Sequence, residues 1–277
     1  MNTRSHRKAP KKKLFQSIVY GNYALNRRAL PWRDTTNPYR ILLSELMLQQ
    51  TQVERVLEKY RLFVQRFPTV SSVAKANLRG VLDAWSGLGY NRRALSLKRL
   101  AEIVVKEHRG RIPRDPKLLM QLPGVGKATA GAVCAFAFNK PVVFLETNIR
   151  AVFIHHFFSG EKHVKDSEIL PIAEKMLDKK NPRRWYSALM DYGVSLKKLH
   201  GNPARRSAHH RSQSSFAGSD RQIRGEIIKL LVRRKAIRES SLCAQLLFPC
   251  WRVRKMIKAL AKEGFIKKRG AVVSICG

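Results

Sequence analysis

Acidic residues are what this chain most lacks: 19 Asp and Glu stand against 55 Lys and Arg in 277 residues, a formal net charge of +36. Such an imbalance predicts strong, salt-sensitive attraction to a polyanion. Nucleic acid is the expected partner and a membrane is not, because no basic amphipathic helix with a broad apolar face stands out. Long apolar runs are missing too. Nowhere do about eighteen uncharged apolar residues follow one another, and the N-terminus, MNTRSHRKAPKKKLF, has no apolar core of the signal-peptide kind. The expectation is a soluble intracellular protein, of the cytoplasm or nucleoid if prokaryotic. Cysteine is scarce: Cys134, Cys243, Cys250 and Cys276 have no metal-type spacing and outline no disulfide framework. Cys134, within an apolar helical stretch, reads as a buried free thiol.

Strand-like alternation is rare before residue 200, and what replaces it is helical. Residues 1–13 read as a disordered basic arm. Apolar residues then recur at three and four positions over Leu14–Arg28, Tyr39–Gln65, Val70–Lys75, Leu78–Ala84, Asn91–His108, Pro116–Gln121, Lys127–Phe138, Asn148–Phe158, Ile169–Leu177 and Pro182–Tyr192. Gly or Pro punctuates the joints, as at Phe67-Pro68 and Gly87-Leu88-Gly89. Residues 201–218, GNPARRSAHHRSQSSFAG, read as a basic linker. Beyond it, Ser219 can cap a helix over Arg221–Lys235, followed by helices at Ser241–Leu247 and Trp251–Gly264. A two-stranded hairpin is expected over Phe265–Cys276. Residues 219–277 thus suggest a small winged-helix-like α+β module, with Arg252, Arg254, Lys255 and Lys258 on the helix that would face DNA.

Two segments carry chemistry. In Gln121–Val152 a tight turn, Leu122-Pro123-Gly124-Val125-Gly126, leads into a helix starting at Lys127. Glycines there would supply backbone angles forbidden to other residues, and the free N–H groups of the new helix, with its dipole, can hold a phosphate. Glu146 follows about two turns beyond that helix. In Leu30–Val53, LPWRDTTNPYRILLSELMLQQTQV, a single acid, Glu45, sits in an apolar helix face. Such surroundings raise a carboxyl's pKa and suit it to act as an acid near neutral pH. A buried acid paired with a neighbouring Arg is the plain structural alternative.

Leu30–Val53, Gly87–Arg93 (GLGYNRR), Leu122–Gly131 (LPGVGKATAG) and Leu145–Val152 (LETNIRAV), in this order, resemble the MutY-type adenine DNA glycosylases of the helix-hairpin-helix (HhH-GPD) superfamily. The resemblance covers about residues 14–200. It implies a mainly α fold, a two-lobed all-helical domain with a six-helix lobe at about 29–140 and a second lobe from 14–28 and 141–200. It also implies a monomer acting on double-stranded DNA that carries a mismatch or lesion. Breaking an N-glycosidic bond needs one group to protonate the leaving base and a carboxylate to support an oxocarbenium-like sugar. By similarity, Glu45 would protonate the base, Glu146 would occupy the site of the family's essential aspartate, and Asn148 would brace it. Trp32 and Arg33 would line the pocket for the extruded base. Gln50 and Tyr90 would enter the duplex, and Leu122, Gly124, Val125, Gly126 and Lys127 would grip its backbone.

Four departures qualify that picture. Glu146 replaces Asp, moving the carboxylate by up to roughly 1.5 Å, and a displacement of about 1 Å can cost on the order of a hundredfold in rate. Ala128 stands where bifunctional relatives carry a Schiff-base lysine, so lyase chemistry lacks its nucleophile, although Lys127 is adjacent. Where relatives hold a four-cysteine iron–sulfur cluster after a DYG helix, this chain has Asp191-Tyr192-Gly193 but Lys197, Ala204, Ser207 and Gln213 at the ligand positions, so no cluster is expected. His200, His209 and His210 read as phosphate contacts or exposed side chains, not metal ligands. Finally, the small basic module stands where bacterial adenine enzymes carry a Nudix-like domain that reads 8-oxoguanine. The leading expectation is a monofunctional, cluster-free glycosylase for adenine opposite guanine or 8-oxoguanine. A glycosylase for thymine or uracil opposite guanine and a non-catalytic mismatch sensor are the alternatives. In each case charge should dominate affinity: with six or more phosphates neutralised, raising salt from 50 to 200 mM should weaken duplex binding by about a thousandfold. A flat salt titration by fluorescence anisotropy would contradict this.

Overall fold

The computed structural model describes residues 10–212 and 215–276. Among the described residues the chain forms α1 (Lys12–Asn26), α2 (Pro38–Leu48), α3 (Val53–Arg66), α4 (Val70–Lys75), α5 (Leu78–Ala84), α6 (Arg92–His108), α7 (Pro116–Gln121), α8 (Lys127–Phe138), α9 (Thr147–Phe157), α10 (Asp166–Met176) and α11 (Pro182–His200). A 3-10 turn (Pro203–Arg206) follows, then α12 (Asp220–Arg233), β1 (Ala236–Arg238), α13 (Glu239–Gln245), α14 (Cys250–Glu263), β2 (Ile266–Arg269) and β3 (Val272–Ile275). The fold is mainly α with one small antiparallel sheet, ordered β1-β3-β2. Among the described residues no helix is long and apolar enough to cross a membrane.

Several boundaries differ from the sequence expectation, each for a physical reason. The single helix expected over Tyr39–Gln65 is two, because Gln50 turns left-handed at φ 56° and Gln52 is extended before α3. The last helix of the first domain continues past Tyr192 to His200, since no Pro or left-handed Gly intervenes before Gly201. Helix α1 begins inside the expected basic arm, of which residues 1–9 lie outside the described residues. The expected linker is partly fastened: Val164 donates to the Arg206 carbonyl and accepts from the Ala208 N–H, both at 2.9 Å. Arg206 itself takes up the Phe158 and Ile154 carbonyls at the end of α9. The terminal hairpin gains a third strand, since Ala236–Arg238 pairs with β3. Against the expectation of unpaired cysteines, Cys243 and Cys250 are bonded across the α13–α14 corner, Cα atoms 5.0 Å apart. Cys134 is free and buried, as expected.

The chain divides into two compact units. The first comprises residues up to Ile41, Arg114–Met120 and Val125–Ser212. Phe15 of α1 anchors it, in edge-on or tilted contact with Phe153, Phe157 and Trp185 at 5.0–5.9 Å between ring centres. Helix α8 belongs to this unit, apolar nearly all round and buried over Thr129–Ala137.

The second unit comprises Leu42–Pro113, Gln121–Gly124 and the chain from residue 213 onward. The C-terminal helices and sheet share a core of Ile223, Ile227, Leu231, Val253, Leu260 and Phe265. They are docked on α5 and α6 by arginines. Glu263 accepts from two guanidinium nitrogens of Arg92 (2.8 and 2.7 Å) and two of Arg224 (2.9 and 2.7 Å), while Arg99 donates to the Glu263 carbonyl at 2.7 Å. Arg79 likewise takes the Val232 carbonyl at the end of α12. The Arg92 hydrogen bonds, reinforced by Arg224, outweigh burial and hold the Glu263 carboxyl down at about 2, from an ordinary 4.5. A depressed carboxylate pKa stabilises above the unfolded value and ceases to do so as pH falls through the folded one. Glu263→Gln should therefore cost about 1–2 kcal/mol at neutral pH, and the difference from wild type in urea unfolding should shrink below pH 4.5 and vanish near 2.

Candidate active site

In the second unit, the two residues expected to enter the duplex share an unusual backbone. Gln50 (φ 56°) and Tyr90 (φ 47°) are both left-handed without being glycine, a conformation that costs roughly 1–2 kcal/mol per residue. What holds both turns is Arg93, whose guanidinium lies beneath them. One terminal nitrogen donates to the carbonyls of Leu46, Met47 and Gln49 at 3.0, 2.7 and 2.5 Å. The other donates to Thr51 Oγ1 and to the carbonyls of Leu88 and Gly89 at 3.0–3.1 Å. Arg93 is 7% exposed, and burial pushes its pKa down to about 10, so it stays charged at neutral pH. Its charge also lies 5.4 Å from the centre of the Tyr90 ring. Arg221, at the start of α12, donates to the Tyr90 hydroxyl at 2.5 Å and lies 5.5 Å from the same ring.

Sequence reasoning took Tyr90 and Gln50 from their motifs and passed over Arg93 and Arg221. The signal for Arg93 was available: it falls on the buried face of α6, in step with Leu97, Leu100 and Val104.

At the hairpin turn, Gly124 has φ 80°, and a Cβ there would come within 2.8 Å of Ser96 Cβ, so glycine is required on both counts. The second glycine does not follow the expectation. Gly126 is extended (φ −91°, ψ 178°) and serves as N-cap of α8, where a Cβ would meet nothing within 4 Å. Its value is an open approach to a helix start that no side chain caps. Leu122 and Val125 are buried and cannot offer side chains to a partner, while Gly124, Gly126 and Lys127 are exposed. Gln49 donates to the Gly124 carbonyl at 3.3 Å.

In the first unit, Glu146 is the N-cap of α9. Its Oε1 accepts the Ile149 N–H at 2.8 Å and its Oε2 accepts Asn148 Nδ2 at 3.2 Å. The side chain folds back over its own helix start, where the dipole favours a negative charge. Asn148 Oδ1 in turn accepts Lys197 Nζ at 2.6 Å. Gly193, one turn before Lys197 on α11, lets the helices touch: a Cβ there would lie 2.5 Å from the Asn148 carbonyl oxygen.

Trp32 is 7% exposed, in the turn before α2. Arg33 is bidentate to the buried Asp191 at 2.6 and 2.9 Å, and Arg28 adds a third contact at 2.5 Å. Burial raises the Asp191 pKa, but the two arginines more than offset this and leave it below the ordinary carboxylate range. Arg33 is thus fixed by an ion pair that the DYG motif supplies. Glu45 is half-buried on α2, between Ser44 and Leu46, both wholly buried. It belongs to the second unit and Glu146 to the first.

The positions at which the family resemblance puts cluster ligands do not suit iron. Lys197 is committed to Asn148, Ala204 has no donor, and Ser207 has only a hydroxyl. Gln213 lies outside the described residues. Among the described residues no group of three or more His, Cys, Asp or Glu is placed to hold a metal ion. His209 faces Asp166 at 4.0 Å and His200 stacks on His155 at 5.0 Å.

Residues 43–177 match the family model described as HhH-GPD superfamily base excision DNA repair protein. The adenine DNA glycosylase of Buchnera aphidicola subsp. Baizongia pistaciae is 34% identical over 186 residues, 66% of this chain and 52% of that enzyme. The adenine DNA glycosylase of Mycobacterium tuberculosis (strain CDC 1551 / Oshkosh) is 32% identical over 230 residues, 76% of this chain and 75% of that enzyme. The solved structure of a thermostable thymine-DNA glycosylase is 30% identical with a TM-score of 0.60, over 66% of this chain and 86% of that one. The chain therefore spans about half the length of one of these curated relatives and three quarters of the other.

Removing Arg93 would take its hydrogen bonds from six backbone carbonyls and a hydroxyl. Arg93→Met should destabilise the protein by at least about 3 kcal/mol, with Arg93→Lys recovering part of it. Urea unfolding of the two variants checks this, and a loss within 0.5 kcal/mol for Met would contradict the assignment.

Proposed function

This chain belongs to the HhH-GPD superfamily of base excision DNA repair proteins, on its MutY-type adenine DNA glycosylase branch, and we propose that it removes adenine opposite guanine or 8-oxoguanine as a monofunctional, cluster-free glycosylase. The observation that carries this reading is the Glu146 carboxylate, aimed by a backbone N–H and by Asn148 in the segment that matches the family's essential acid.

The reaction then runs as follows. The target nucleotide is extruded, with Gln50 and Tyr90 occupying the duplex in its place. Glu45 gives its proton to the leaving base as the C1′–N bond breaks and the bond's electron pair goes with the base. The sugar becomes oxocarbenium-like, and the Glu146 carboxylate offsets its positive charge. Water adds to C1′, and the proton it loses replaces the one Glu45 gave up, leaving an abasic site. Ala128 offers no amine for a Schiff base, so the strand stays intact. The exposed Lys127, Gly126 and Gly124 would hold a backbone phosphate at the start of α8. The C-terminal residues 219–276, a winged-helix-like arrangement, add basic surface. Arg252 and Arg254 there are paired with Asp220 and Glu239, so Lys255 and Lys258 are the better candidates for phosphate contact. The protein would act as a monomer wherever its substrate DNA resides.

A second reading, thymine or uracil opposite guanine, is favoured by the 30% identity to the thymine-DNA glycosylase over most of that chain. Single-turnover assays on A:G, A:8-oxoguanine, G:T and G:U duplexes separate the two. Adenine release is expected, and Glu45→Gln should slow it by about 10²–10⁴-fold with duplex affinity unchanged. Release of thymine or uracil with adenine untouched would replace the adenine reading. No release from any duplex would point to a protein that binds mismatches without chemistry.

A further inference from the structure

We propose that Lys197 is a positioning residue for excision: it fixes the side-chain amide of Asn148 in the one orientation that donates to Glu146. The inference rests on the reading of Glu146 as the carboxylate that supports the sugar cation.

The argument begins with what each group can and cannot do. An ammonium has three donors and no acceptor, and an Asn side chain has a donating end and an accepting end that a half-turn exchanges. With Lys197 Nζ at 2.6 Å, only the oxygen of Asn148 can face it, which leaves Nδ2 to face Glu146 Oε2 at 3.2 Å. The flipped amide would set N–H against ammonium at one end and oxygen against carboxylate at the other. Both contacts of the observed orientation become repulsive in the alternative, so the lysine selects the rotamer. Without it, only the Glu146 carboxylate would oppose the flip, and an Asn148 so turned would leave Glu146 the Ile149 N–H alone.

The placement of Lys197 also has a structural cause. Gly193 and Lys197 stand four apart on α11 and so share a face. The missing side chain at Gly193 lets that face meet the Asn148 backbone, which brings Asn148 within reach of the lysine. The ammonium is partly buried. Burial lowers its pKa, the Glu146 charge draws it back up, and Arg28 acts against it. A lysine held at such a cost needs a compensating partner, and Asn148 is the hydrogen-bonding one. Nothing in an iron-binding role accounts for it, although the family resemblance puts a cluster thiolate at this position.

The test is a double-mutant cycle read by single-turnover excision on the duplex the wild type cleaves best. Lys197→Met should slow excision by about 10–100-fold, the size typical of a residue that orients an active group. Affinity for a duplex carrying an uncleavable substrate analogue should be unchanged. Lys197→Gln, which retains a neutral donor, should lose less. Because the lysine acts through Asn148, the Asn148→Ala, Lys197→Met double variant should be no slower than Asn148→Ala alone. Multiplicative losses, or a Lys197→Met rate within twofold of wild type while Glu146→Gln is inactive, would overturn the proposal. A fully active Glu146→Gln would instead show that the reading of Glu146 itself fails.

Discussion

One buried guanidinium holds the two turns that we propose meet DNA. The charge of Arg93 is spread over six carbonyl oxygens and a hydroxyl drawn from two separate turns. A carbonyl is a weaker partner than a carboxylate but leaves no net countercharge behind, so the turns stay attractive to a phosphodiester backbone. The same contacts keep Gln50 and Tyr90 left-handed. That strain is met when the protein folds and not when it binds, so encounter with a duplex need not spend binding energy on shaping these turns. The C-terminal residues take part through Arg221 on the Tyr90 hydroxyl, which makes the module a support for the turn as well as a source of charge.

The first unit solves a comparable problem with a helix start. Glu146 is anchored by α9's own first turn, Asn148 by Glu146 and Lys197, and the α9–α11 distance by the absence of a side chain at Gly193. The DYG segment is a compact instance of one helix serving several ends. Asp191 holds Arg28 and Arg33, Tyr192 meets His156 at 2.7 Å, and Gly193 admits Asn148. At position 146 the glutamate side chain caps its own helix by accepting the Ile149 N–H.

Much of this was legible in the sequence. The helices stood out because their apolar positions repeat at helical spacing and Gly or Pro closes them. Glu146, Asn148, Gln50 and Tyr90 stood out because their motifs are contiguous. What escaped has a common cause: it depends on which residues the tertiary structure brings together. The break after Leu48 has no Gly or Pro to announce it and exists because Arg93, more than forty residues later, binds the carbonyls that a continuous helix would use itself. The strand β1 is three residues long and gains its identity only from β3. Lys197 looked like a lost ligand position, and its bond to Asn148 cannot be inferred from spacing. Cys243 and Cys250 are seven apart, and only the corner between α13 and α14 brings their sulfurs together.

The shortage of acids has a last consequence. With so few to deploy, the fold shares them: Asp191 between Arg28 and Arg33, Glu263 between Arg92 and Arg224, and Glu239 between Arg254 and Lys268. Sharing secures the joints economically but leaves the surplus of positive charge unanswered by the chain itself. The folded protein is then a polycation whose mutual repulsion opposes its own compactness. A duplex, the proposed substrate, would supply the missing counter-charge and stabilise the fold as it binds.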